Sequence, residues 1–322
     1  MKDILLRRRN LLICKQEKNI RAVCFEADGE QTVAITTVGS APTITMQYSY
    51  DGVTWESWDL TPLPFGGSTK VYVRGVGNHS FGKDSNNYNK ITFSSFSYVY
   101  VSGITESLLD GENEVLTIKN SYCFYKLFDN ERPLRSVKNL RFEAISIGAN
   151  ACYSMFDSCS NLLYAPKVLS ANNFSGSNVY TCMFQKCKSM ITAPELPATT
   201  LSSNCYDSMF RGCTSLVNAP ELPATTLSPN CYQYMFYDCT SLVNAPELPA
   251  TTLTPNCYQY MFYNCTSLGT IRCHAKVTAS SATSNWMKRV KNEGTFYGYS
   301  EYGWSIGFGG RPFSWEFVEL TD

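Results

Sequence analysis

Two rhythms of apolar and polar positions divide the chain. Between residues 20 and 103, short runs rich in Val, Thr, Ile and Tyr (21–27, 31–38, 43–50, 70–76 and 91–101) are separated by Gly- and Pro-rich connections. Asp51-Gly52 ahead of Val53-Thr54-Trp55 is a strong hairpin signal. Short strands at this spacing predict a compact antiparallel β-sandwich over 20–103. Residues 104–121 are polar and read as a joint.

Beyond the joint the sequence repeats. Met-Phe recurs at 155–156, 183–184, 209–210, 235–236 and 261–262, the last four pairs 26 residues apart and the first step 28. A degenerate copy, Leu127-Phe128, lies another 28 residues upstream. The clearest units start at Asn204 and Asn230 and read Asn-Cys-Tyr-x-x-Met-Phe-x-x-Cys-Thr-Ser-Leu-Val-Asn-Ala-Pro-Glu-Leu-Pro-Ala-Thr-Thr-Leu; a third, from Asn256, departs after Leu268. Within a unit, Cys205, Met209 and Cys213 fall at i, i+4 and i+8 with Tyr206 and Phe210 beside them, the spacing of one buried helical face. Pro220 and Pro223 then bar a helix and leave a short extended piece. A helical turn plus a strand at this period predicts an α/β solenoid of the leucine-rich type over 122–272, in which stacked units bury a common core. Residues 273–322 would cap its end, with Trp286, Phe296, Trp304 and Trp315 as cap residues.

Stacking turns sequence positions into columns. Met and Phe form the expected spine of the core. Cysteines form two columns, one at 159, 187, 213, 239 and 265 and one at 205, 231 and 257. Two Cys eight apart on a helix are ~12 Å apart, beyond the ~7 Å reach of a disulfide. No C-x-x-C pair occurs, and His79 and His274 are the only histidines, so neither disulfides nor a zinc site is expected. Glu195, Glu221 and Glu247 share a third column, preceded in register by Lys167. On strands these like charges would sit about 5 Å apart, a row to be solvated or to face a cationic partner.

These columns justify a comparison. The stretch 122–272 resembles the BspA-like leucine-rich repeats of gut Bacteroidetes and their mobile elements, in which units of the form CYxxMFxxCTSLxxAPELPATTL recur. Arg7-Arg8-Arg9, Tyr48 to Trp55, Val71 to Gly75, Asn285-Trp286-Met287 and Gly294-Thr295-Phe296 also resemble parts of such proteins. The resemblance implies a non-enzymatic surface or adhesion role toward host proteins, glycans or other cells, and family members also occur in phage gene sets.

Composition narrows the function further. The chain has 322 residues, enough for two or three domains. Lys plus Arg and Asp plus Glu both number 27, so no general electrostatic field favours nucleic acid. Charged residues are only 17% while aromatics reach 14%, with 21 Tyr, which excludes wholesale disorder. No apolar run is long enough to span a membrane. Three arginines split the apolar pieces of residues 1–19, so no signal peptide is recognised there; the segment reads instead as a basic arm (Lys2, Arg7, Arg8, Arg9, Lys15, Lys18) suited to anchoring in a larger assembly. P-loop, H-E-x-x-H and EF-hand patterns are missing and no constellation of catalytic residues stands out, so neither a catalytic centre, a metal nor a cofactor is expected.

Binding has better support. Arg211, Tyr237 and Tyr263 fill the position two after Met, outside the core periodicity, and Tyr234 and Tyr260 precede Met. Exposed Tyr offers rigid contact area with a polar tip. The candidate ligand-binding residues are therefore Arg211, Tyr234, Tyr237, Tyr260, Tyr263, Glu195, Glu221 and Glu247. The expected function is a displayed binding or adhesion protein, at the cell surface or on a virion, recognising a host protein or glycan. The alternative is a structural virion decoration or fibre subunit, a homo-oligomer whose repeats make subunit contacts.

Overall fold

The computed structural model describes residues 20–94, 97–275, 281–299, 304, 306–307 and 309–321. The basic arm expected over 1–19 lies outside them. Nine strands come first: β1 (Val23–Ala27), β2 (Gln31–Val38), β3 (Met46–Ser49), β4 (Glu56–Trp58), β5 (Leu63–Phe65), β6 (Val71–Gly75), β7 (Gly82–Asp84), β8 (Asn87–Phe93) and β9 (Val99–Ile104). They form two sheets. One contains β9-β1-β6-β3-β4 and the other runs β5-β2-β8-β7, antiparallel throughout. Phe25 of β1 meets Phe65 and Phe93 of the other sheet at ring distances of 6.2 and 5.7 Å, so the two inner faces share one apolar layer. This is a β-sandwich, formed because alternate Val, Phe and Ile side chains point to one face of each strand.

The joint is not a free linker. Thr105–Leu108 form a buried 3-10 turn, and after β10 (Thr117–Ile118) comes β11 (Leu134–Arg141), which adds to the first sheet parallel to β9. Strand β11 is therefore shared. Through Ser136 it also bridges Tyr164, which in turn bridges Thr192, so the sheet runs on into the repeats.

The α/β solenoid of leucine-rich type expected over 122–272 does not form. Among the described residues there is no α-helix; the chain is almost entirely strand, bridge and turn. The segment read as a helical face, Cys205 to Cys213, is a run of four-residue turns. Asp207, Met209, Arg211 and Cys213 each donate N–H to the carbonyl three residues back, at 3.0–3.2 Å. The alternate N–H groups of Tyr206, Ser208, Phe210 and Gly212 leave the unit and bond the carbonyls of Cys231, Gln233, Met235 and Tyr237 at 2.8–3.0 Å. Every fourth residue takes the left-handed conformation: Asn204, Ser208 and Gly212, then Asn230, Tyr234 and Asp238, then Asn256, Tyr260 and Asn264, with φ between 53° and 76°. The physical reason lies in the spacing itself. A four-residue step drifts about 40° around a helix of 3.6 residues per turn, whereas a four-residue turn returns each Cys, Met and Cys to the same side. An α-helix would also close its N–H groups within the unit, and here half of them join one unit to the next.

Stacked units make continuous columns. The phenyl rings of Phe128, Phe156, Phe184, Phe210, Phe236 and Phe262 follow one another at 5.4–5.9 Å, nearly parallel. Phe93 of the sandwich starts the column, 6.5 Å from Phe128. Tyr180, Tyr206, Tyr232 and Tyr258 make a second buried column at 5.9–6.0 Å. Each such pair contributes roughly 0.5–1.5 kcal/mol beyond burial of the rings. Cysteine thiols complete the ladder: Cys159, Cys187, Cys213, Cys239 and Cys265 donate to the carbonyls of Phe128, Phe156, Phe184, Phe210 and Phe236 at 3.0–3.1 Å. The described cysteines of the repeats are all reduced thiols.

The extended halves are short. Strand β12 (Ser146–Ile147) pairs in parallel with β10, and β13 (Asn173–Phe174) in parallel with β12. Towards the C-terminus β14 (Asn244–Leu248), β15 (Thr270–Cys273), β16 (Thr295–Gly298) and β17 (Glu316–Glu319) form one parallel sheet. Trp286 receives both columns, 6.1 Å from Tyr258 and 6.3 Å from Phe262, and packs on Trp304 at 5.4 Å. Its indole N–H donates to Gly310 O at 2.8 Å, as that of Trp315 does to Lys291 O. No helix among the described residues is long and apolar enough to cross a membrane.

Candidate binding face

The four-residue turns put two side chains in and two out, and the outward pairs of neighbouring units lie over one another. Gln233 and Gln259 hydrogen-bond across the unit boundary. Tyr234 stacks on Tyr260 at 4.9 Å and 7°, and Tyr237 stacks on Tyr263 at 4.7 Å and 3°. Asn264 Nδ2 donates to Asp238 Oδ1 at 2.7 Å. The Arg211 guanidinium closes one end of the tyrosine pairs, 4.8 Å from the Tyr237 ring and 5.6 Å from that of Tyr234. Arg289 closes the other, 5.5 Å from the Tyr263 ring. Arg211, Tyr234, Tyr237, Tyr260 and Tyr263 are thus brought together as one half-buried cluster.

Backbone strain marks the same place. Tyr234 and Tyr260 sit at φ 53° and 56°. The left-handed region suits Gly and Asn, and a bulky aromatic there is unusual. The preceding units place Cys182 and Ser208 in this slot, so a ring is not required by the turn.

The arrangement differs in one respect from a flat aromatic platform. The ring faces of Tyr237 and Tyr263 are turned to each other and to the two guanidinium groups. What reaches solvent is ring edges and phenol hydroxyls. Among the described residues none of these four hydroxyls has a protein hydrogen-bond partner. Partial burial holds the phenols of Tyr234 and Tyr237 above their ordinary range, so they remain O–H donors. Beneath Arg211, burial pushes the Asp207 carboxyl up to about 6, opposed by the hydroxyl of Ser208 at 2.7 Å and by Arg211 itself.

The glutamate row belongs to the extended half of each unit. Glu195 is exposed, with its backbone N–H on Lys167 O at 2.8 Å and a bridge to Val168. Glu195 and Glu221 line a cleft of about 470 Å³ with Pro194, Pro197, Pro220 and Pro223. Glu247 lies on β14 beside Arg272 of β15, and its Oε1 is 2.6 Å from His274 Nε2. His274 therefore meets the row at Glu247, while at the other end Glu195 is joined to Lys167 through the backbone.

Sequence reasoning missed Arg289, although it follows Tyr263 at the same 26-residue interval that separates Arg211, Tyr237 and Tyr263. It also missed Glu106, whose carboxyl is buried and pushed up to about 7 by loss of water. Glu106 Oε1 accepts from the Ala144 N–H at 3.0 Å while Oε2 is buried without a partner. No local pattern could have flagged it, because the burial comes from β1, β6 and the segment after β11. Among the described residues no group of three His, Cys, Asp or Glu is placed to hold a metal ion. Comparison with family models, with curated proteins and with solved structures finds no match to this chain.

Proposed function

We propose that the chain is a non-enzymatic binding protein that recognises a host surface protein or glycan through the face formed by Arg211, Tyr234, Tyr237, Tyr260, Tyr263 and Arg289. One observation carries the reading: four stacked tyrosines present unpartnered hydroxyls between two arginines on a ladder fixed by backbone bonds to both neighbours. Rigid amphipathic rings give contact area at small entropic cost, because they are ordered before the ligand arrives. The likeness of the repeat sequence to displayed surface proteins points the same way, toward a protein presented at a cell surface or on a virion.

The test is retention of the full chain on glycan arrays and on cells. Tyr237→Ala with Tyr263→Ala is expected to abolish retention while leaving the thermal transition cooperative. Undiminished retention by that double variant would refute the reading. A chain that binds nothing and forms an obligate homo-oligomer through this face would favour a subunit of a fibre or coat.

A further inference from the structure

We infer that the ligand of this face is an acidic glycan strand, held by its carboxylate or sulfate groups on tyrosine edges and arginines rather than by stacking of a sugar ring on an aromatic face. The inference rests on the reading of the face given above and names its ligand class.

Three observations carry it. First, the π-faces of Tyr234, Tyr237 and Tyr263 are already taken. Neutral sugars are gripped by laying their C–H side on an open aromatic face, but Tyr237 has Tyr263 at 4.7 Å on one side and the Arg211 guanidinium at 4.8 Å on the other. Tyr263 has Tyr237 and the Arg289 guanidinium at 5.5 Å, and Tyr234 has Tyr260 at 4.9 Å and Arg211 at 5.6 Å. Second, what remains outward is electropositive. The edge of an aromatic ring carries the positive part of its quadrupole, and the hydroxyls are protonated donors with no protein acceptor. A file of donors and positive edges matches oxygen-rich anions.

Third, the charges are placed to match. Among the described residues neither Arg211 nor Arg289 has a carboxylate within ion-pair distance. Lys186 and Lys188 are exposed in neighbouring turns. The nearby acids are withdrawn: Asp207 is turned inward to Ser208, and Asp238 accepts from Asn264 at 2.7 Å. A planar guanidinium gripping carboxylate or sulfate by paired N–H bonds is the strong form of such contacts. The arginines stand at opposite ends of a two-ring stack, so a linear polymer with repeated charges can engage both.

Binding of the full chain to heparin (sulfated), polygalacturonate (carboxylated) and dextran (neutral), by biolayer interferometry at low and high salt, tests this. Expected are retention on heparin or polygalacturonate, weakening as salt rises, and no retention on dextran. Arg211→Gln with Arg289→Gln should weaken acidic-glycan binding by about tenfold or more. Tyr237→Phe with Tyr263→Phe keeps both stacks, removes two donors, and should weaken it severalfold. The relative response to heparin and polygalacturonate tells which acid group is read. Acidic-glycan binding that ignores the arginine pair overturns the inference. Binding to dextran or to a protein that is lost in Tyr237→Ala with Tyr263→Ala overturns the acid assignment while sustaining the face as the binding surface. If that alanine pair changes no binding at all, both fail.

Discussion

Cys239 donates its thiol hydrogen to the carbonyl oxygen of Phe210, 3.1 Å away and one unit earlier. That oxygen also accepts the N–H of Cys213 at 3.0 Å. Both lone pairs of a buried carbonyl are thereby satisfied, one from inside its own unit and one from the next. The same pairing recurs along the column, so the reduced thiols are hydrogen-bonding parts of the stack.

Thiol reactivity should follow. Burial pushes the thiols up, to about 12 at Cys205 and about 11 at Cys257, so little thiolate exists at neutral pH. Among the described cysteines Cys182 is the most exposed. In a timed titration with an aromatic disulfide reagent, Cys182 is expected to react first among them and the rest only on unfolding. The thiol at position 14 is replaced by Ser for the measurement. Rapid reaction of several core thiols in the folded protein would contradict the stack.

The phenyl column should dominate stability. Phe236→Ala removes a fully buried ring stacked on both sides and is expected to cost about 3–5 kcal/mol. Tyr237→Ala, at the half-buried outer column, should cost under about 2 kcal/mol. Urea denaturation of the two variants checks the ranking.

Glu106 should make the protein more stable in mild acid. Its folded-state value is raised from 4.5 to about 7 by burial. Between those values the unfolded chain loses the proton and the folded one keeps it, so stability falls as pH rises through this window and is level above it. The shift corresponds to about 3 kcal/mol. Glu106→Gln stays neutral at every pH and can still accept from Ala144. It is expected to match the parent near pH 4.5 and to exceed it at pH 8, read by denaturant midpoints.

The left-handed slots should be selective. Asn230 sits at φ 58°. Asn230→Ala is expected to lower stability by about 1 kcal/mol, because Ala keeps the Cβ that crowds the following carbonyl but lacks the short polar side chain that lets Asn tolerate the left-handed region. Asn230→Gly should stay close to the parent. Thermal melts of the pair separate backbone strain from loss of the amide group.

Only part of the architecture was legible. Alternating Val, Ile and Tyr with Asp51-Gly52 announced the sandwich, and the Met-Phe interval announced columns that Phe210, Phe236 and Phe262 form in order. The helix was not there, because a four-residue apolar interval is shared by an α-helical stripe and by a string of β-turns. The distinguishing mark was present in Asn204, Asn230 and Asn256, residues that tolerate positive φ and lead each run of turns. The binding cluster was half legible. Column position brought Arg211, Tyr237 and Tyr263 together, but which way a ring turns depends on its neighbours in space. Glu195, Glu221 and Glu247 share a column yet lie in the extended half of the unit, apart from the tyrosine turns.

The unit beginning at Asn204 hands its spare N–H groups forward to the unit beginning at Asn230, and that one does the same for Asn256. Because the donor and acceptor edges of these blocks are alike, whole blocks can be inserted or removed without breaking the bonds that join one unit to the next. Each insertion carrying tyrosines would lengthen the outward file by one ring pair. Reach and avidity toward a polymer would then change by copy number, with the sandwich and the terminal tryptophans left untouched.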